Sequence, residues 1–150
     1  VLNMISNKGM EQENYEIGEI CEAIANLLRY TTSTGQKTVT LSDEIDYTKN
    51  YLMLMEKRFE DRLKCVVDID EEMMKMEMPK MILQPLVENA LNHGYKNTTK
   101  TMYVSIYGII KENIWKITVK DSGEGFEEAV LSEIRSQMVR VRNKIFLEKE

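Results

Sequence analysis

Between Tyr15 and Tyr30 the apolar residues Ile17, Ile20, Cys21, Ile24, Leu27 and Leu28 recur at threes and fours, which predicts a one-sided helix able to pack in a bundle. The stretch "TSTGQK" breaks that period. Ser42, followed by Asp43 and Glu44, is placed to cap a second helix that runs through Tyr47, Tyr51, Leu54 and Met55 to about Arg62. Two such helices build little core by themselves; they must bury their stripes against a partner chain or against the rest of this one. After Arg62 the period changes. "KCVVDID" is short and rich in β-branched residues, and "TMYVSIYGIIKENIWKITVKD" alternates on both sides of "KEN", as a hairpin does. Between them "PKMILQPLVENALNHGY" predicts a helix with Leu83, Leu86, Val87, Ala90 and Leu91 on its core face. Pro85 removes the hydrogen bond to the Met81 carbonyl, so a kink or a start near Gln84 is expected. The methionines 73, 74, 76, 78 and 81 read as gap-filling core and surface residues.

Composition narrows the picture. A chain of 150 residues holds one full core with a small appendage, or a single domain. Its 20 basic and 25 acidic residues give a net charge of −5, which argues against a nucleic-acid surface, since phosphate backbones select clustered Lys and Arg. An anionic ligand would need help, such as a metal ion. Cys21 and Cys65 lie in an apolar helix stripe and a strand, so they read as reduced core thiols and fit a cytoplasmic location. There is no apolar run near 18 residues and no signal-peptide pattern. The missing initiator Met suggests a fragment, with any membrane attachment through segments outside this chain.

Candidate chemistry concentrates in two places. "LVENALNHG" at Leu86–Gly94 sets two carboxamides, a carboxylate and the only histidine among apolar residues. Glu88 and Asn92 are four apart, as are Asn89 and His93, so the four should crowd the face opposite Leu83, Leu86 and Ala90. Such a face can be merely solvated. The second place is "DSGEG" at Asp121–Gly125, after a strand: alternate glycines let backbone approach a flat ligand, and Asp121 can accept from an exocyclic amine. Alone, this pattern is common in turns. Following Glu88 and Asn89 across one hairpin, it is a specific combination.

The pair resembles the N box and first Gly box of the histidine-kinase ATPase domain, in the superfamily shared with DNA gyrase and MutL. The wording "LLRYTTSTGQKTVTLSDEIDYTKNYLMLMEKRFEDRL" and "MILQPLVENALNHG" is similar to sensor histidine kinases of the LytS/YesM type, and the likeness runs from Val1 to about Phe126. The resemblance implies an α+β fold, a two-layer α/β sandwich of the Bergerat ATP-binding type. Its mixed sheet is covered by helices and preceded by a helical hairpin. Residues 1–62 would be a truncated dimerisation and phosphoacceptor hairpin with its linker helix, and 63–150 the ATP-binding catalytic domain. By the same resemblance Asn89 would coordinate a Mg²⁺ bridging the ATP phosphates, and Glu88 would orient or deprotonate the attacking group. Asp121 would accept the adenine amine, with Gly123 and Gly125 walling the base. Asn92 and His93 would lie on the phosphate side or behind it. Lys96 can approach a phosphate, or be simply solvated. Arg58 and Phe59 match the family's "RF" pair, with a packing role.

Two departures bear on activity. Val1-Leu2-Asn3 aligns with the end of a "FLYNTLN"-like run that follows the acceptor His in this family, so the acceptor is expected upstream. The glycine-rich second box of the ATP lid, whose backbone amides cradle phosphates, is missing between "LSEIRSQ" and "MVRVRNKIF". In that last run Met138, Val141, Lys144 and Ile145 match the helix after the lid in type, while Arg140 replaces an Asn. The resemblance therefore implies a histidine kinase fragment, by itself inactive in autophosphorylation. Its partners would be a response regulator and, through the hairpin, a second copy. The alternatives are a degenerate nucleotide- or partner-binding module, or a clamp or serine kinase of the same superfamily, which the hairpin wording disfavours.

Overall fold

The opening helices form a hairpin in which α1 (Leu2–Glu11) folds back on α2 (Tyr15–Thr32). A Cβ at Gly9 would sit 2.9 Å from that of Ile17, so the two helices touch there only because Gly9 has none. This computed structural model describes residues 2–33, 35, 37–94, 100–112, 114–123, 125, 128, 130–133 and 135–136. After the hairpin come β1 (Thr38–Thr40), α3 (Leu41–Phe59), β2 (Leu63–Ile69), β3 (Glu77–Pro79), α4 (Leu83–Gly94), β4 (Met102–Lys111) and β5 (Ile114–Asp121). The chain is thus α+β, with helices lying on a mixed sheet.

That sheet has the order β2-β4-β5. β2 runs parallel to β4 from Leu63↔Met102 to Ile69↔Gly108, and β5 pairs antiparallel from Val104↔Asp121 to Lys111↔Ile114. The parallel pair needs a crossover, and α4 lies in it. Alternation along β4 turns Met102, Val104 and Ile106 inward, where they meet Leu41, Ile45 and Leu52 of α3 and Leu83, Val87, Ala90 and Leu91 of α4. Each large apolar side chain so buried contributes roughly 1.5–3 kcal/mol. β1 and β3 form a separate two-stranded antiparallel ladder, Thr38↔Pro79 to Thr40↔Glu77, which brings the linker before α4 beside the start of α3. On the far edge of β2 the Cys65 N–H donates to Glu56 Oε1 of α3 at 2.7 Å, which satisfies a strand donor that no neighbouring strand takes among the described residues.

Several expectations hold: the Tyr15–Tyr30 helix, the "KCVVDID" strand, the hairpin about "KEN", and two free thiols, Cys21 and Cys65. Met73 and Met78 are buried, Met74 and Met76 pack on the core, and Arg58 lies 5.2 Å from the Phe59 ring centroid. Others need correction. The cap of α3 is Thr40, not Ser42: the Thr40 hydroxyl accepts from Asp43 N–H at 3.2 Å while Asp43 Oδ2 accepts from Thr40 N–H at 3.0 Å. That capping box beats an isolated Ser because both partners are satisfied at once. The helix ends at Phe59, and Glu60 to Arg62 form a 3₁₀ turn. Leu86 is 51% exposed rather than on the core face. It precedes Val87 by one residue, about 100° round the helix, and so falls outside a stripe centred on Leu83, Val87, Ala90 and Leu91.

Candidate functional site

The helix carrying "LVENALNHG" is built from an unusual start. Its approach, "MPKMIL", holds none of the side chains that ordinarily cap a helix. Met81 takes a left-handed φ of 65°, rare for a residue with a side chain. The cap comes from α3: the buried Glu44 carboxylate accepts the backbone N–H groups of Met81 at 2.5 Å, Ile82 at 3.1 Å and Leu83 at 3.0 Å. One charge thereby meets the orphan N–H groups of Ile82 and Leu83 at the helix start, and that of Met81 just before it, and also favours the positive end of the helix dipole. Pro85 falls in the first turn, where its missing N–H costs nothing, so α4 starts at Leu83.

From that start the candidate residues are distributed by helical geometry. Gln84 Nε2 donates to Glu88 Oε1 at 2.6 Å, one turn apart. Glu88 is half-buried at the α3 border of the polar face, close enough for its charge to act on two tyrosines. Burial first, and the Glu88 carboxylate second, push the Tyr47 and Tyr51 phenols above their ordinary value. Asn89 and Asn92 point outward and are exposed. The polar face is therefore graded: a held carboxylate at its edge and exposed carboxamides at its crest. The side chains of His93 and Lys96 lie outside the described residues, as do Val1 and the run from Gln137 to Ile145.

The second candidate stretch begins where β5 ends. Asp121 Oδ1 accepts the Gly123 N–H at 2.8 Å, a local turn that fixes the carboxylate plane and leaves its other oxygen exposed. The turn is pinned to β4 by Ser122, whose N–H donates to the Tyr103 carbonyl at 3.0 Å and whose hydroxyl accepts the Tyr103 N–H at 2.9 Å. Gly125 has φ 75°, which favours glycine, and open space beside it where a Cβ would stand. α4 packs against β5, the strand whose end carries Asp121. What this donor set can do is bounded by its chemistry. Among the described residues no three His, Cys, Asp or Glu side chains gather as a metal cage. A lone outward carboxamide such as Asn89 suits a Mg²⁺ that keeps waters and binds through substrate phosphates.

Sequence reasoning missed Glu44, Tyr30, Lys80 and Gln84. Gln84 had a signal, its spacing of four from Glu88. Glu44 had none, because its partners are backbone groups far along the chain.

Comparison with known proteins agrees with these motifs. The family model described as Histidine kinase matches residues 1–63. The Bacillus subtilis (strain 168) sensor histidine kinase YesM is 33% identical over 116 residues, 77% of this chain and 20% of that protein. The Staphylococcus aureus (strain USA300) sensor protein kinase HptS is 29% identical over 119 residues, 79% of this chain and 23% of its own length. The chain belongs to the sensor histidine kinase family. It spans about a fifth of the length of these curated relatives. A solved histidine kinase domain from the Erythrobacter litoralis EL346 blue-light activated histidine kinase overlaps 80% of this chain and 62% of that one, at TM-score 0.47 and 16% identity. Members of this family work in two-component signalling. Among the described residues no helix is long and apolar enough to cross a membrane.

Proposed function

We propose that this chain is part of the ATP-binding catalytic region of a sensor histidine kinase. It would bind Mg-ATP for transfer of the γ-phosphoryl to a histidine and onward to a response-regulator aspartate. The observation that carries the reading is the graded polar face of α4, with Glu88 tethered by Gln84 and the Asn89 carboxamide exposed, on a helix that packs against β5, the strand leading into the Asp121–Gly123 turn. Mg²⁺ when bound would neutralise phosphate charge. Asn89 supplies a neutral oxygen for it, and Asn92 can donate to phosphate oxygens. Glu88, held in place by Gln84, is the group to orient or deprotonate the attacking histidine nitrogen. Asp121, its plane fixed by Gly123 N–H, accepts the adenine amine, and Gly125 leaves room beside the base. Residues 1–62 would bring a second copy into a homodimer through the hairpin, and membrane attachment would come from other parts of the protein.

One nucleotide titration tests this, run on the whole protein with ATP and GTP, each with and without Mg²⁺. ATP should bind better with the metal, and Asn89→Ala should erase most of that gain. GTP, with a carbonyl where adenine has its amine, should bind poorly. Asp121→Asn should weaken ATP by about 1.5–3 kcal/mol, the range for a hydrogen bond to a charged group. Equal ATP affinity with and without Mg²⁺ sinks the metal assignment, and equal ATP and GTP affinity moves Asp121 out of the base site. Binding without phosphoryl transfer would leave the degenerate binding module.

A further inference from the structure

The last turn of α2 and the first turn of α4 are tied to the same carboxylate. Tyr30 of α2 donates its hydroxyl to Glu44 Oε1, the oxygen that also accepts Met81 N–H. Burial, then the Glu44 carboxylate beside it, hold the Tyr30 phenol above its ordinary value, so it stays an O–H donor. A second tie runs alongside. Lys80, one residue before Met81, donates to the Tyr30 carbonyl, to the Ser33 carbonyl at 2.9 Å and to the Ser33 hydroxyl at 2.7 Å. Its ammonium also lies 4.6 Å from the centre of the Tyr30 ring. The same ring stacks on Tyr47 of α3 at 4.7 Å, and Tyr47 feels the Glu88 charge. Tyr30 thus touches the cap of α4 on one side and the neighbour of Glu88 on the other.

We propose that Glu44 and Tyr30 are positioning residues for the nucleotide site, coupling the orientation of the hairpin helix α2 to the first turn of α4. The proposal rests on the reading of α4 as the ATP-bearing helix and adds how that helix is controlled. Glu44 Oε1 is held between the Tyr30 hydroxyl and the Met81 N–H, so withdrawing the hydroxyl removes a contact that fixes the carboxylate against the start of α4. Met81 is the strained residue at the start of α4, and its left-handed φ is held from outside by Glu44 and, through Lys80, by α2. A rotation of α2 that draws Tyr30 from Glu44 therefore loosens the turn that sets Gln84 and, one turn on, Glu88 and Asn89. Two arrangements of one packed contact are what carries coupling between distant sites.

The test uses the whole protein with Tyr30→Phe, which removes one oxygen and leaves the three backbone bonds to Glu44 in place. Ile69→Val is the control: it loosens the sheet where β2 meets Gly108, away from the cap and from α4. Amide hydrogen exchange over residues 81–92 is followed without nucleotide, and a fluorescent ATP analogue is titrated with Mg²⁺. Tyr30→Phe should speed exchange over 81–92 about fivefold relative to the β4 amides and weaken the analogue by about fivefold. Ile69→Val should show neither selective change. If the wild-type protein binds the analogue and Tyr30→Phe behaves like Ile69→Val, the coupling is overturned while the nucleotide reading stands. If the wild type fails to bind, the nucleotide reading falls and the proposal with it.

Discussion

Cys65 shows how a single residue's surroundings set its chemistry. Burial first, and the nearby Glu56 carboxylate second, push its thiol from 9.0 up to about 12. A group whose folded value is raised keeps the fold favoured while it stays protonated. The unfolded chain loses the proton first, so stability should be level below pH about 9 and fall as the pH rises from there toward 12. Denaturant midpoints between pH 8 and pH 10 should show that fall in the wild type and less of it in Cys65→Ala. The native thiol should also resist iodoacetamide at pH 8.5. Rapid alkylation of Cys65 in the folded protein would refute the half-buried, carboxylate-flanked setting. That Cys65 is a core thiol was legible from its strand. That Glu56 sits against it was not, because the carboxylate reaches over from α3 to the Cys65 N–H.

At the scale of elements, the crossover between β2 and β4 depends on how closely two chains can approach. Gly108 pairs with Ile69 across the parallel ladder, and a Cβ there would stand 2.8 Å from Ile69 Cδ1 and 3.2 Å from Met73 Sδ. Gly108→Ala must push the 3₁₀ turn at Met73 away from the sheet, an overpacking that should cost about 1–3 kcal/mol. Urea denaturation measures it, and a change within experimental error would mean that this end of the sheet yields freely. The elements themselves were largely written in the sequence, because apolar period is a local property: three and four for α2 and α3, two for β4 and β5. The boundaries were less so. Ser42 and Thr40 are both credible caps, and only the reciprocal bond with Asp43 chooses between them.

For the whole molecule, the net charge of −5 acts on any phosphate ligand before contact is made. Metal-free ATP, a tetra-anion, should bind more tightly as salt rises from 20 to 200 mM, because screening shortens the reach of the repulsion to about 10 Å near 0.1 M. Mg-ATP, with half that charge, should depend on salt much less. Steep weakening of metal-free ATP with salt would instead indicate a local basic cradle that outweighs the global charge.

By itself the sequence determined the helical hairpin wording, the α+β class, and the two stretches in which Glu88, Asn89, Asp121 and Gly125 stand, since each is a pattern within one short segment. Tertiary structure alone decided that Leu86 leaves the core, that the Glu88 charge acts on Tyr47 and Tyr51, and that α4 is capped from α3 by Glu44. The reason is physical. A helix start with no capping side chain of its own must find an acceptor somewhere, and backbone N–H groups carry no sequence identity that could announce the partner. Packing chose Glu44, and with it joined α4 to Tyr30 at the end of the hairpin.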